Sequence, residues 1–451
     1  MNNLKDLTHI TQTTPGGAKI LVLNTGSVIG PEAEAMLQAL HSRSIGGVES
    51  HLKVLAEKGA DNFMSTYYVG YGHKSIGDLA SASIFIEGIS MLAAKAIQDW
   101  PLYCGQEAST RYIDFAAQPI IDPLETSASK KILENWRTFY VEHLNTLPAF
   151  LEEQFPRKNE EDRSIYNKTI KARAFDILRG FLPAGATTNL AWHSNLRQFA
   201  DKLPHLRHHP LKEVRDIAEA TEKALQKAFP NSFDLKRYSE SETYFQLLAE
   251  SLTYFQDPEP VEFEHSHQKI NRSKLENYRE ILNRRPIKTE LPGSIAECGQ
   301  VDFRFLLDFG SFRDLQRHRA VTQKMPLLTT ELGFTDWYLN SLDQKTKERA
   351  ENLIEDQTRA ISKLPTEPEV KQYYTAMGFS TTNHLSGNLS ALVYLVELRN
   401  TRFVHPTLRH RVRQMAEILL KEFSEFGLTI HLDPHPDRFD TKRGEQDIIK
   451  K

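Results

Sequence analysis

A chain of 451 residues with 40% apolar and 25% charged residues can bury two ordinary cores, and nothing in that balance suggests disorder. Its net charge of -3 argues against a nucleic-acid groove over much of the surface, yet leaves scope for a local arginine cluster that grips one phosphorylated small molecule. No apolar run approaches the ~18 residues needed to cross a bilayer, and residues 1–17 lack a basic segment followed by an apolar stretch, so we expect a soluble cytoplasmic enzyme without a nucleic-acid or membrane partner. Cys104 and Cys298 are too few for a disulfide framework or a four-ligand zinc site, and their apolar or mixed surroundings read as those of buried thiols.

In chain order, Ala18-Lys19-Ile20-Leu21-Val22-Leu23 is a β-rich run, and Pro31-Glu32-Ala33-Glu34 opens a helix with proline early and carboxylates in the first turn. A helical stretch then runs up to Pro101, which stops it and leaves Gln106-Glu107-Ala108-Ser109-Thr110-Arg111-Tyr112 as a polar loop. Glu107, Ser109 and Arg111 alternate, so in an extended strip they share one side. Such a strip suits a phosphorylated ligand, because Arg grips phosphate oxygens in a fork and a Ser hydroxyl completes the shell; the same residue types also serve as plain surface solvation. From Lys130 the positions Ile132, Leu133, Trp136, Phe139, Tyr140 and Leu144 make the stripe of an amphipathic helix packed on a core. Arg179-Gly180-Phe181-Leu182-Pro183 follows, and beyond Asn195-Leu196-Arg197 a helical stretch reaches Leu206-Arg207. Asp257-Pro258-Glu259-Pro260 reads as a rigid polar linker, which places a domain boundary at residues 255/256. In the strand after it His265 and His267 alternate, but no third ligand of suitable spacing follows, so no metal site is expected.

Taken together, Gly72-His73-Lys74-Ser75, the run Phe85-Ile86-Glu87-Gly88-Ile89-Ser90 and the segment Glu107 to Tyr112 resemble the flavin-dependent thymidylate synthases, the thymidylate synthase complementing protein family. The family signature runs Gly-His, an apolar strand, Arg-His-Arg, then Glu-x-Ser-x-Arg-Tyr. Where the family has the basic triplet, this chain has Asp99-Trp100-Pro101. Further on, Arg179 ahead of Leu182-Pro183, Asn195 with Arg197, and Leu206-Arg207 match in order a nucleotide-contacting Arg, a flavin-contacting Asn-x-Arg and a second nucleotide-binding Arg. Asp201 stands where the family tends to have a flavin-contacting Asn.

The second half echoes the first. Ser294-Ile295-Ala296-Glu297 echoes Ser75-Ile76-Gly77-Asp78, and Phe303-Arg304-Phe305-Leu306 echoes Phe85-Ile86-Glu87-Gly88. At the offset that separates Phe303 from Phe85, Arg317-His318-Arg319 falls opposite Asp99-Trp100-Pro101, so the second copy carries the triplet that the first lacks. Asn388-Leu389, Leu398-Arg399 and His405-Pro406 continue the echo of Asn195-Leu196, Leu206-Arg207 and His209-Pro210, at a smaller offset that implies a shorter middle segment. Gln372 and Ser390 replace Arg179 and Arg197, and no Glu-x-Ser-x-Arg-Tyr follows the second triplet.

The resemblance implies a helix-rich α+β fold of two tandem thymidylate synthase-like copies, residues 1–255 and 256–451, forming a pseudo-dimer. It implies reductive methylation of dUMP at carbon 5, with FAD as cofactor and NADPH and methylenetetrahydrofolate as co-substrates. Glu107, Ser109, Thr110, Arg111, Arg179 and Arg207 would bind the nucleotide, and Arg207 would also stabilise charge developing on the pyrimidine. Ser75, Asn195, Arg197, Arg317, His318 and Arg319 would contact FAD. Complementary losses in the two copies point to one site per chain and to a homodimer that imitates the family's tetramer. A non-catalytic nucleotide-binding relative and a methylase of another uridine nucleotide are the alternatives.

Overall fold

The computed structural model describes residues 9–23, 30–41, 53–57, 59–61, 64–65, 74–108, 115–233, 236–268 and 270–435. Along the chain come β1 (His9–Thr13), β2 (Lys19–Leu23), α1 (Pro31–His41), β3 (Ser81–Ser90), α2 (Met91–Gln98) and β4 (Cys104–Glu107). The long helices α3 (Ser127–Gln154) and α4 (Arg163–Leu178) follow, then β5 (Thr187–Asn195), α5 (Leu196–Arg207), α6 (Lys212–Ala228) and α7 (Ser239–Leu252). After the Pro-rich linker come β6 (Phe263–Gln268), β7 (Gln300–Asp308), α8 (Phe309–Leu315), β8 (Thr322–Gln323), α9 (Gln344–Ser362), β9 (Ser380–Gly387), α10 (Leu389–Arg399) and α11 (Pro406–Phe423). The protein is α+β. Among the described residues, no helix is long and apolar enough to cross a membrane.

The chain divides into two compact units. Residues 1–108 and 187–253 form the first, and residues 109–186 and 254–451 the second. The break near residue 253 lies beside the expected linker, but the segment with α3 and α4 clusters with the C-terminal part of the chain and not with its own N-terminal neighbours.

The first unit is built on an antiparallel sheet of order β1-β2-β3-β5-β4. Period-two alternation buries Ala82, Ile84 and Ile86 of β3 and leaves Ser81, Phe85 and Glu87 outside. At Gly88 the register with β5 shifts, and φ of +70° is a conformation only glycine takes without strain. The bulge turns Ile89 and Ser90 inward. Ser90 caps α2 by accepting from the Ala93 amide at 3.0 Å and is itself held by Glu213 of α6. Every residue of α2 is buried, Lys95 included. Edge strand β4 crosses so close to β5 that a Cβ on Gly105 would lie 1.9 Å from the Ala191 carbonyl.

The second unit has a sheet of order β6-β7-β9-β8. The expected stripe on α3 is present: Ile132, Leu133, Trp136, Phe139 and Tyr140 are buried, while Leu144 is only half-buried and His143 and Leu147 take the inner positions. Trp136 donates its indole N–H to the Tyr374 carbonyl at 2.9 Å, Asp122 accepts from the Tyr374 hydroxyl at 2.6 Å, and Gln357 of α9 donates to the Ile132 carbonyl at 2.6 Å. These contacts, with Phe181 against Phe334 at 5.0 Å between ring centres, bind α3 and α4 to residues of the second half of the chain. Burying each such aromatic contributes about 1.5–3 kcal/mol.

Two local expectations need correction. Cys298 is buried as anticipated, but Cys104 is exposed, because it lies at an outward position of edge strand β4. Gln106 and Glu107 belong to that strand and not to a loop, since Pro101 ends α2 early enough for the chain to turn and pair with β5.

Candidate functional site

In the first unit the candidate residues occupy three places. Glu107 points inward from β4, with its carboxylate 2.7 Å from Lys95 Nζ of α2; the two side chains are 1% and 0% exposed. Gln98 bridges them, donating to Glu107 at 3.0 Å and accepting from Lys95 at 2.9 Å. A charge pair withdrawn from water to this degree persists only when both ends are matched and hydrogen-bonded, which Gln98 secures. The triad anchors the strand that carries the chain toward Ser109, Thr110 and Arg111, which lie outside the described residues. The sequence offered one overlooked signal for it: a lone lysine within the otherwise apolar first part of α2.

Helix α5 holds the next group. Asn195 is its N-cap, its side-chain oxygen accepting from the Gln198 amide at 2.8 Å. Arg197, in the first turn and half-exposed, reaches Asp78 at 2.8 Å and Asp201 at 3.5 Å. Ser75 is exposed on the short helical turn Lys74–Gly77. Lys202, further along α5, donates to the Asp99 carbonyl at 2.8 Å and lies 5.4 Å from the Trp100 ring. Burial pushes its pKa down to about 8.

At the C-terminal end of α5, Arg207 is clasped by two carboxylates. It donates to Glu222 at 3.0 Å and to Glu242 of α7 at 2.7 Å. Arg237 also donates to Glu222, at 2.9 Å, and His208 lies 2.8 Å from the other Glu242 oxygen. Burial alone would raise the Glu242 pKa, but the contacts from His208 and Arg207 outweigh it and hold the carboxyl below its ordinary range.

The second unit contains Arg179 and the basic triplet. Arg179 caps α4 and is 3% exposed, its guanidinium donating to the Ser311 hydroxyl at 3.2 Å. Around it, Asp308 caps α8 and accepts from the Ser311 amide at 2.8 Å, from the Tyr338 hydroxyl at 2.7 Å and from the Thr407 hydroxyl at 2.5 Å. His405 completes this polar knot 3.2 Å from Ser311 Oγ. Asp308 and Thr407 form part of the wall of a cleft of about 750 Å³ that Trp337 and Arg411 also line. Apart from His405, sequence reading did not single out the residues of this knot, which come from three separate stretches of chain.

The triplet follows α8. Arg317 is exposed, 3.9 Å from Asp314, and Arg319 is exposed as well. His318 turns inward, where its Nε2 accepts from Arg399 Nε at 2.7 Å. Burial, reinforced by the Arg399 charge, pushes its pKa down to about 3, so it is a neutral acceptor at physiological pH. Among the described residues no cluster of three or more His, Cys, Asp or Glu side chains could hold a metal ion.

Residues 30–231 match the family described as thymidylate synthase complementing protein. Its relatives extend the likeness across both halves. It is 26% identical to a UPF0159 protein of Chlamydia pneumoniae, covering 89% of this chain and 86% of that one. It is also 28% identical to a UPF0159 protein of Chlamydia muridarum, covering 82% and 79%, and 23% identical to one of Thermoplasma acidophilum, covering 78% and 85%.

Proposed function

We propose that the chain is a cytoplasmic flavin-dependent thymidylate synthase that methylates dUMP at carbon 5, built from two tandem copies of one domain, residues 1–255 and 256–451. The observation that carries the reading is the family match over residues 30–231, which contains Glu107 to Tyr112, Arg179, Asn195, Arg197 and Arg207 in the order the family uses them. Support for the tandem copies comes from the sheets: β2-β3-β5-β4 and β6-β7-β9-β8 have the same order relative to the chain. Ser90 and Asp308, equivalent at the Phe85 to Phe303 offset, each cap the helix that follows, as do Asn195 and Asn388.

The residues present suit an anionic dinucleotide. Arg197, Arg317 and Arg319 carry exposed or half-exposed guanidiniums for phosphate oxygens, while Asn195 has only its amide N–H groups to offer, its oxygen being the cap acceptor. When bound, FAD would supply the relay of reducing equivalents from NADPH to the transferred one-carbon unit. The chain's own contribution is to bind dUMP through Ser109, Thr110, Arg111 and Arg207, with Glu107, closed on Lys95, fixing the strand that leads to them, and to hold positive charge against the pyrimidine as its carbon 5 becomes nucleophilic. Arg207 is the residue assigned to that charge, and it must exchange Glu242 for substrate. Arg179, enclosed in the Asp308 knot, acts in this reading as a positioning residue. The paired state of Arg207 favours one second reading, a nucleotide-binding relative without turnover.

The test is an absorption spectrum of the purified chain with and without dUMP, followed by assay of dUMP against UMP with methylenetetrahydrofolate and NADPH. Flavin absorbance that dUMP perturbs, one FAD and one dUMP per chain, a dimeric mass and dTMP formation are expected. Protein that stays colourless when FAD is supplied sinks the reading; flavin and dUMP binding without product selects the second one.

A further inference from the structure

A second cleft in the second unit, lined by helix α10, the loop 285–291 and residues 431–435, has a volume of about 770 Å³. That size falls in the range of sites for single organic ligands. Its α10 wall carries Tyr394 and Leu398 at a spacing of four, one face of a helix, with Ile287 opposite on the loop. These three are 48%, 45% and 66% exposed, so large apolar side chains left in water converge on one opening.

The polar groups of the cleft divide into two kinds. Glu397 is consumed internally: Arg285 forms a double contact with it, and the His431 amide donates to it at 2.7 Å. Asp433 is likewise engaged, by the Arg402 amide at 2.8 Å and by His435 at 2.8 Å. Both carboxylates are thereby matched, and Arg285, donating also to the Thr289 and Thr429 carbonyls, ties the walls together. Lys288 is different. It is exposed at the lip, has no ion-pair partner among the described residues, and has φ of +62°, a left-handed backbone costly for a side chain with a Cβ. Also lining the cleft, the Arg402 guanidinium lies 5.4 Å from the Phe403 ring, a flat cation on an aromatic platform.

We propose that this cleft binds a flat aromatic ligand bearing an anionic group, the ring against Tyr394, Leu398 and Ile287 and the anion at Lys288. Two compounds of the assigned reaction share that chemistry, a folate with its carboxylates and a pyridine dinucleotide with its phosphates; choosing these two as probes rests on the thymidylate synthase reading, while the site itself does not. The experiment is calorimetric titration of the full-length chain with folic acid and, separately, with NADP+. One of them is expected to bind saturably, and which one binds identifies the anion. Lys288→Gly, which removes the charge while suiting the left-handed backbone, should weaken that binding roughly tenfold without lowering the thermal midpoint, as loss of one charge-assisted contact predicts. Leu398→Glu, on an already exposed position, should abolish it. Binding of neither probe, or binding unchanged in both variants, overturns the site. Flavin content is read on the same preparations: flavin retained without cleft binding refutes the cleft alone, and cleft binding in protein that cannot take up flavin refutes the synthase reading alone.

Discussion

Lys95 and Glu107 are the most consequential pair at the level of single residues, since neither side chain can be rescued by water. Removing one partner strands the other, at a cost of about 3–5 kcal/mol, whereas replacing both by apolar groups of similar volume is nearly neutral or better. Lys95→Met is therefore expected to lower stability in urea by about 3 kcal/mol or more, and Lys95→Met with Glu107→Leu to recover most of it; a double variant no better than the single one would disprove the coupling. His318 makes a pH prediction. Its folded pKa of about 3 lies below the ordinary 6.5, so as pH falls between those values the unfolded chain takes up a proton that the folded chain refuses. Stability should thus be full above about pH 6.5 and fall toward acid, by up to about 1.4 kcal/mol per pH unit for each such histidine. His209, buried and near Lys202 and Arg215, behaves alike with a pKa of about 3. His318→Gln should flatten the urea-midpoint profile between pH 6 and 4 by one histidine's share; an unchanged slope would show that the proton is taken up elsewhere.

Helix α5 is the element where structure and proposed chemistry overlap, because Asn195 is both its cap and an assigned flavin contact. The two roles separate by substitution. Asn195→Ala loses the cap and should cost about 1 kcal/mol. Asn195→Asp keeps a cap acceptor and loses the amide N–H groups, so stability should hold while flavin occupancy drops; full flavin content in stable Asn195→Asp protein would remove this residue from the cofactor site. The order of residues along α5 was readable beforehand, since Asn195, Arg197 and Arg207 stand in the order that the family resemblance implies. That Glu222 and Glu242 clasp Arg207 was not, because α6 and α7 reach it from positions that no local pattern marks.

At the scale of the whole chain, the two packing units cut across the two proposed copies. Helices α3 and α4 lie within residues 1–255 but pack with residues 254–451. A fragment of residues 1–255 would expose Trp136, Phe139 and Phe181, together with the polar partners of Tyr374 and Ser311. We expect it to be insoluble or to lack cooperative unfolding, measured by circular dichroism and calorimetry, whereas the full chain unfolds cooperatively. A well-folded, soluble fragment would contradict this packing. It follows that inactivity of such a fragment says nothing about where a composite site lies, and stoichiometry on the intact chain is the informative measurement.

By itself the sequence determined the strand at 19–23, the helices beginning at Pro31 and near Lys130, the linker before residue 263, and the ordered series of Glu, Asn and Arg that carries the family resemblance. Those are local: period-two and helical spacing, proline stops and motif order are all written within a few residues of one another. Only the tertiary structure decided that Glu107 faces Lys95 and not a ligand strip, that Cys104 is exposed, that His318 is a neutral acceptor beside Arg399, and that Arg179 sits in a knot with Asp308, Ser311 and Tyr338. Each depends on burial and on partners brought from distant positions, and the cost of stranding a charge away from water is set by those partners, which spacing along the chain does not encode.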